Sequence, residues 1–104
     1  MTIKSSLPEL RVFITLAESG HFTRAAERLG MSQSSLSASL GKLETLLGTR
    51  LFDRHTRGCR LTDAGNALLP AAHRLVADWD QWLFDARDFA RFSRGRVSVA
   101  APNA

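Results

Sequence analysis

The sequence predicts a mainly α-helical fold with a short β-hairpin and a long C-terminal helix. Three observations predict it. Helically spaced apolar residues up to Leu47 are divided by Gly30 into short stretches. Between residues 51 and 62 that period gives way to two short β-prone runs. A second helical pattern then extends without interruption from Leu68 to Phe89. Two close helices followed by a hairpin are typical of a winged helix-turn-helix.

An opening helix is indicated around Pro8, a residue that is tolerated in a first helical turn. Ser6 and Glu9 match a capping box, in which each side chain accepts from the other residue's backbone N–H. Ser19 and Gly20 end the helix. We expect it to support the fold through an apolar stripe of Leu10, Phe13, Ile14 and Ala17.

The next two helices are predicted to lie close together. Thr23 is a candidate N-cap of the first, and Gly30 ends it. Ala25 and Ala26 are small enough for two helices joined by a three- or four-residue turn to approach closely. Ser32 then opens the second helix.

The helix that begins after Ser32 has two different faces. Four leucines form one stripe, which we expect to face inward: Leu36, Leu40, Leu43 and Leu47. The opposite face carries Ser34, Ser37, Ala38, Gly41 and Lys42. Such a short, mostly neutral, hydroxyl-rich face suits contact with base edges in a DNA major groove. A solvated polar surface and a flexible serine-rich linker are alternatives, although the regular leucines argue against disorder.

A basic hairpin is predicted next. Leu51 and Phe52 on one side and residues 60–62 on the other flank a loop over residues 55–59. Four arginines decorate it: Arg50, Arg54, Arg57 and Arg60. Guanidiniums beside a recognition-type helix suit phosphate contact, and an arginine at a hairpin tip can enter a narrow minor groove. The alternative is a basic surface loop without a partner.

These segments closely resemble the LysR-type family of bacterial transcriptional regulators over essentially the whole chain. The resemblance is carried by LPELRVFITLAESG, FTRAAERL, SQSSLSASLGKLETLLGTRLF, the wing motif R-x-x-R-G from Arg54 to Gly58, and LTDAG. It implies a homodimer that binds an inverted-repeat operator. Residues of the second helix would contact bases or nearby phosphates, Thr23 and Arg54 would bind the DNA backbone, and Arg57 would reach the minor groove. The candidate DNA-binding residues are Thr23, Arg24, Ser32, Gln33, Ser34, Ser35, Ser37, Ala38, Lys42, Arg54, Thr56 and Arg57.

The chain departs from the common pattern of that family on the second helix. Ser34 and Ser35 replace frequent prolines, and Ala38 stands where an arginine is frequent. Gly41 lies mid-helix, where glycine costs about 1 kcal/mol relative to alanine. We therefore expect discrimination to depend on Gln33, hydroxyls, methyl contacts and DNA shape, with the wing supplying most of the electrostatic attraction.

A long helix is predicted over residues 63–94, with Thr62 as its cap. Its apolar positions alternate by four and three and form the expected dimer interface: Leu68, Ala72, Leu75, Trp79, Trp82, Ala86 and Phe89. A second row flanks them: Leu69, Val76, Leu83 and Ala90. So wide a face predicts a partner helix, the alternative being complete packing on its own domain.

The domain boundaries follow from these elements. Residues 1–62 form the winged helix-turn-helix and residues 63–94 the long linker and dimerisation helix. Residues 95–104 are short, apolar and β-prone. In the family, the effector-sensing domain begins there, so we expect a fragment that lacks this domain and has no small-molecule effector site.

Composition agrees with an anionic partner. The 104 residues carry a net charge of +4, and the pI is near 10.6, which favours nucleic acid over a membrane surface. The single Cys59 forms no intrachain disulfide, and no apolar run approaches membrane-spanning length. We expect a cytoplasmic protein.

Catalysis has little support in the sequence. Its three histidines are scattered, and His55 with Cys59 would supply two ligands where a closed zinc site needs four. We expect no enzyme activity, metal or cofactor. The sequence therefore predicts a sequence-specific, dimeric DNA-binding domain of a LysR-type regulator. The alternative is a winged-helix protein-interaction module that does not bind DNA.

Overall fold

In the part of the chain that the structure describes, four helices and one hairpin form the fold, in the order that the sequence predicts. The computed structural model describes residues 6–55 and 58–95. Its elements are α1 (Ser6–Ser19), α2 (Phe22–Leu29), α3 (Gln33–Leu47), β1 (Phe52–His55), β2 (Gly58–Leu61) and α4 (Asp63–Gly95). The mainly α, winged arrangement is thus confirmed.

The core lies where α1, α2 and α3 meet the base of the hairpin. Phe13 and Phe52 are almost fully buried, and their rings meet edge to face with centroids 5.8 Å apart. The other buried members are Val12, Leu16, Ala25, Ala26, Leu36, Leu40, Leu43, Leu51 and Ala72. Because the core includes residues from α1 to α4, it fixes the hairpin and the start of α4 relative to the helix pair.

The helix pair has the predicted turn but a different beginning. Ser32 caps α3 as expected, since its Oγ accepts from the Ser35 N–H at 3.0 Å. Gly30 ends α2 in the left-handed conformation, with a φ of 67°. Thr23 as N-cap is wrong. The helix begins at Phe22, and His21 occupies the cap position without a side-chain cap bond.

The inward stripe of α3 is confirmed for three of its four leucines. Leu36, Leu40 and Leu43 are buried. Leu47 is 44% exposed, so its predicted inward position is wrong. It is the last residue of α3, and the chain reverses at the left-handed Gly48 immediately afterwards, so the final turn of the helix leaves this side chain at the edge of the core.

The hairpin has longer strands than the sequence suggested. Phe52 pairs with Leu61 at its base, and His55 pairs with Gly58 at its end. The predicted five-residue loop is therefore wrong, because only residues 56 and 57 lie between the strands, a common length for a hairpin connection. The Cys59 N–H donates to the Gly20 carbonyl at 3.2 Å, which ties the wing to the turn between α1 and α2.

The first turn of α4 is joined to the entry of the wing. Thr62 caps the helix as predicted, since its Oγ1 accepts from the Gly65 N–H at 3.0 Å. The same hydroxyl donates to the Arg50 carbonyl at 2.6 Å. A Cβ at position 65 would collide with the Leu51 carbonyl oxygen and the Leu61 side chain, so this close approach requires glycine.

The apolar surface of α4 is divided between two environments. Ala72 is 3% exposed and belongs to the core, so its assignment to the dimer interface is wrong. Val76 is 9% exposed, and Leu69 packs against the same core. The physical reason is that α4 packs against α1 along this side. An ion pair between Arg11 and Asp80, 2.5 Å apart, joins the same two helices.

Candidate nucleic-acid interface

The exposed face of α3 carries the polar residues that the sequence singled out. Gln33, Ala38 and Lys42 are exposed, and Ser37 is half-buried. Thr23, exposed on α2, donates its hydroxyl to the Gln33 Oε1 at 3.3 Å. This bond turns the Gln33 carbonyl oxygen toward α2 and leaves the amide N–H groups as donors for another partner.

Three serine hydroxyls surround the N-terminus of α3. Ser32 donates to the Ser35 Oγ at 2.9 Å, and the Ser34 Oγ lies 3.3 Å from the Ser32 Oγ. All three side chains are exposed. The first-turn N–H groups of a helix favour anions through their partial positive charge. This end of α3 therefore suits a phosphate or the acceptor groups of a base edge.

Arg54 connects the wing to both helices of the pair. Its guanidinium carbon lies 4.8 Å from the centroid of the Phe22 ring. Its Nη1 donates to the Ser37 Oγ at 3.3 Å. Strand β1 thus places a cation beside the exposed face of α3, although the two residues are 17 positions apart in sequence.

Glu44 sets the direction in which the chain leaves α3 for the wing. Its Oε2 accepts from the Leu51 N–H at 2.7 Å and from the Phe52 N–H at 3.4 Å. Arg50 donates to the Phe52 carbonyl at 3.2 Å. Neither Glu44 nor Phe22 was predicted from the sequence. The carboxylate directly after the buried Leu43 was a signal for Glu44. The role of Phe22 depends on the folded position of the wing.

Three cations at this surface have no acidic partner. In the described part of the chain, the ion pairs are Arg11 with Asp80 and Arg28 with Glu18. Arg24, Lys42 and Arg54 are exposed and have no carboxylate within ion-pair distance among the described residues. Their charge is therefore available to an external anion.

Among the described residues, no group of three or more His, Cys, Asp or Glu side chains could hold a metal ion. Burial raises the pKa of the Cys59 thiol, while the Arg54 guanidinium acts in the opposite direction. The thiol is therefore neutral at neutral pH.

Two of the candidate DNA-binding residues lie outside the described residues. They are Thr56 and Arg57, which were predicted at the hairpin tip. Nearly all of the predicted segment over residues 95–104 also lies outside the described residues. In the described ranges, no helix is both long enough and apolar enough to cross a membrane.

Residues 7–66 match the family model described as "Bacterial regulatory helix-turn-helix protein, lysR family". The chain belongs to the LysR family. The match includes α1 to β2 and the first turn of α4. The resemblance stated from the sequence motifs is therefore confirmed.

Curated relatives extend the similarity into α4. The uncharacterised HTH-type transcriptional regulator YbhD of Escherichia coli is 40% identical over 98 residues, covering 94% of this chain and 31% of that protein. The regulator BudR of Klebsiella aerogenes is 46% identical over 90 residues, covering 86% of this chain and 63% of that protein. The chain thus spans less than two thirds of the length of either relative.

Solved structures of related domains have the same fold. A complex of the CbnR DNA-binding domain with DNA superposes with a TM-score of 0.75 at 36% identity, covering 81% of this chain and 97% of that one. A complex of the BenM DNA-binding domain with catB site 1 DNA gives a TM-score of 0.75 at 32% identity, covering 81% and 94%. Both neighbours are DNA-binding domains in complex with DNA.

Proposed function

We propose that this domain binds double-stranded DNA sequence-specifically within a bacterial LysR-type transcriptional regulator. The observation that carries the proposal is the surface shared by α2, α3 and the wing, where exposed hydroxyl and amide donors lie beside cations that have no acidic partner. Helices of this width enter a major groove, and flanking cations neutralise phosphates. The DNA complexes of the related CbnR and BenM domains support the same use of the fold.

The residues divide into those that read bases and those that hold the backbone. Gln33 is the principal base reader, because its amide N–H groups can donate to an acceptor such as a purine N7 on a base edge. Exposed hydroxyls on α3 contribute donors, and the Ala38 methyl suits a thymine methyl. The backbone contacts come from Thr23, Arg24, Lys42 and Arg54, and Arg57 completes the surface in the minor groove.

The domain acts as a homodimer joined through α4 on an inverted repeat. In the single chain, one face of α4 exposes Leu75, Trp79, Trp82 and Phe89 by 57%, 40%, 59% and 70%. Leu68 and Ala86 fall on the same helical face. A second copy of α4 would cover these side chains, and twofold symmetry would present two recognition helices to two half-sites.

A protein-interaction module without DNA binding is the competing function. The family membership and the DNA complexes of relatives favour DNA binding. A regulator of this kind acts on the chromosome. We therefore propose that the protein is located in the cytoplasm and that it has a regulatory role without catalytic activity.

Selection of duplexes from a random pool, followed by a salt titration of the selected site, tests the proposal. We expect affinity to fall steeply as salt rises, because several cations displace counterions from phosphates. Arg24→Ala should reduce the salt slope by about 1. The matched control is Arg91→Ala, which removes the same charge from the distal part of α4 and should leave the slope unchanged.

Base reading is tested separately with Gln33→Ala. We expect it to relax selectivity at one base pair by about 1–3 kcal/mol, with affinity for random DNA largely retained. An equal loss on every duplex would assign Gln33 to the backbone instead. Weak, salt-insensitive binding to all duplexes by the unaltered chain would refute the proposed function.

A further inference from the structure

The side chain of Arg54, on strand β1 of the wing, contacts both helices of the helix-turn-helix pair. Its guanidinium lies 4.8 Å from the Phe22 ring centroid, and its Nη1 donates to Ser37 at 3.3 Å. Phe22 is the first residue of α2, and Ser37 lies in the first half of α3. A single cation is thus held between three elements of the DNA-facing surface.

The supports of this arginine are themselves fixed. The Phe22 ring is partly buried and packs against the hydrophobic core. Ser37 follows the fully buried Leu36. The backbone of Arg54 pairs with Cys59, whose N–H is bonded in turn to the Gly20 carbonyl. The base of the arginine and both of its contacts therefore belong to elements that pack against the core.

A ring face beneath a guanidinium restrains it without using its donors. The cation is attracted to the π face, while the N–H groups lie in the guanidinium plane and point away from its edges. Of its five N–H donors, Ser37 engages one through Nη1. The others remain available for a phosphate, which an arginine recognises best with two parallel hydrogen bonds.

We propose that Phe22 is a positioning residue for DNA binding, whose ring holds the Arg54 guanidinium in the plane required for a bidentate phosphate contact beside α3. The proposal rests on the proposed DNA-binding function. A free arginine side chain loses rotamer entropy when it is fixed. Stacking in the unbound protein removes part of that loss from the binding step.

Phe22 also packs against the core, and a leucine could perform that task. The two roles differ in what they require, because core packing needs apolar volume whereas stacking needs an aromatic face. Phe22→Leu removes the face and keeps an apolar side chain. Phe22→Tyr keeps the face, at a ring that is only partly buried.

A double-mutant cycle on the selected duplex separates these roles. Phe22→Leu should weaken binding about threefold to tenfold when Arg54 is present, and should have no effect in an Arg54→Ala background. Phe22→Tyr should bind as the unaltered chain does. Since Phe22→Leu preserves the charge, its salt slope should be unchanged, whereas Arg54→Ala should lower the slope by about 1. Thermal unfolding confirms that each variant is folded at the assay temperature.

A second measurement tests the stack without DNA. In the free protein, the ring current of Phe22 should shift the NMR signals of the Arg54 side-chain methylene protons, and Phe22→Leu should abolish that shift. An equal loss of affinity with and without Arg54, or a Phe22→Leu variant that binds normally, would overturn the positioning role. Absence of DNA binding by the unaltered chain would overturn both proposals, whereas failure of the cycle alone would leave the proposed function standing.

Discussion

The two halves of α4 carry the same apolar periodicity but lie in different environments. In the proximal half, Ala72 and Val76 are buried on the side of α4 that packs against α1, while Leu75 on the neighbouring side remains 57% exposed. In the distal half, Trp79, Trp82 and Phe89 remain 40%, 59% and 70% exposed. Periodicity therefore identifies an apolar face, but the lengths of the neighbouring elements decide which part of that face the single chain can cover.

The difference in length explains this division. Helix α1 has 14 residues and is about 21 Å long, whereas α4 has 33 residues and is about 50 Å long. The molecule extends 60 Å in one direction and 27 and 24 Å in the others. A domain of that width cannot cover the whole of α4. The tryptophans stack with ring centroids 5.3 Å apart, forming an apolar platform that a second α4 would complete.

The largest expected effect comes from substitutions in the distal half of α4. Replacing Trp79 and Trp82 with Glu would place carboxylates in the proposed interface, where burying an unpaired charge costs several kcal/mol. The variant should become monomeric or unfold, as sedimentation and circular dichroism will distinguish. If the variant is folded but monomeric, its affinity for an inverted repeat should fall much more than its affinity for one half-site. The reason is that two separate monomers must then bind the two half-sites independently.

A matched control lies on the same helix. Phe84 is 64% exposed but falls on the opposite side of α4 from Trp79 and Trp82. Phe84→Glu should therefore leave the dimer intact. If the unaltered chain sediments as a monomer at micromolar concentration, the dimer proposal is refuted.

The second effect concerns the proximal half, where contacts within one chain are tight. Gly65→Ala should destabilise the fold by about 1–3 kcal/mol, because its Cβ meets the Leu51 carbonyl and the Leu61 side chain. Gly41 provides the control, because we expect its substitution to change the free energy of unfolding in the opposite direction. It is helical and has open space at the Cβ position, so Gly41→Ala should stabilise by up to about 1 kcal/mol. Urea unfolding measures both, and equal changes would argue against the close approach at Gly65.

Apart from the cap predicted at Thr23, the local capping signals were predictable from the sequence, and contacts between distant elements were not. Ser32 and Thr62 were identified as caps because a cap depends on a few neighbouring residues. Ala72 was assigned to the wrong surface because its place in the apolar periodicity of α4 does not reveal that α1 covers it. Phe22 was missed for a similar reason, since its contact with Arg54 exists only once the wing folds beside α2. The base-reading residues remain predictions, because residue type indicates compatible chemistry without giving a base sequence.

The smallest expected effect lies where the two halves of α4 meet. Asp80 pairs with Arg11, and their side chains are 54% and 40% exposed. Solvent screens such a pair, so Asp80→Asn should lower the free energy of unfolding by less than about 1 kcal/mol. The effect should shrink further at 1 M salt, where charges are screened beyond about 3 Å. Urea unfolding at low and high salt checks both statements. A salt-insensitive loss above about 2 kcal/mol, well beyond an exposed pair, would mean that this ion pair fixes α4 on α1 and that apolar packing alone does not.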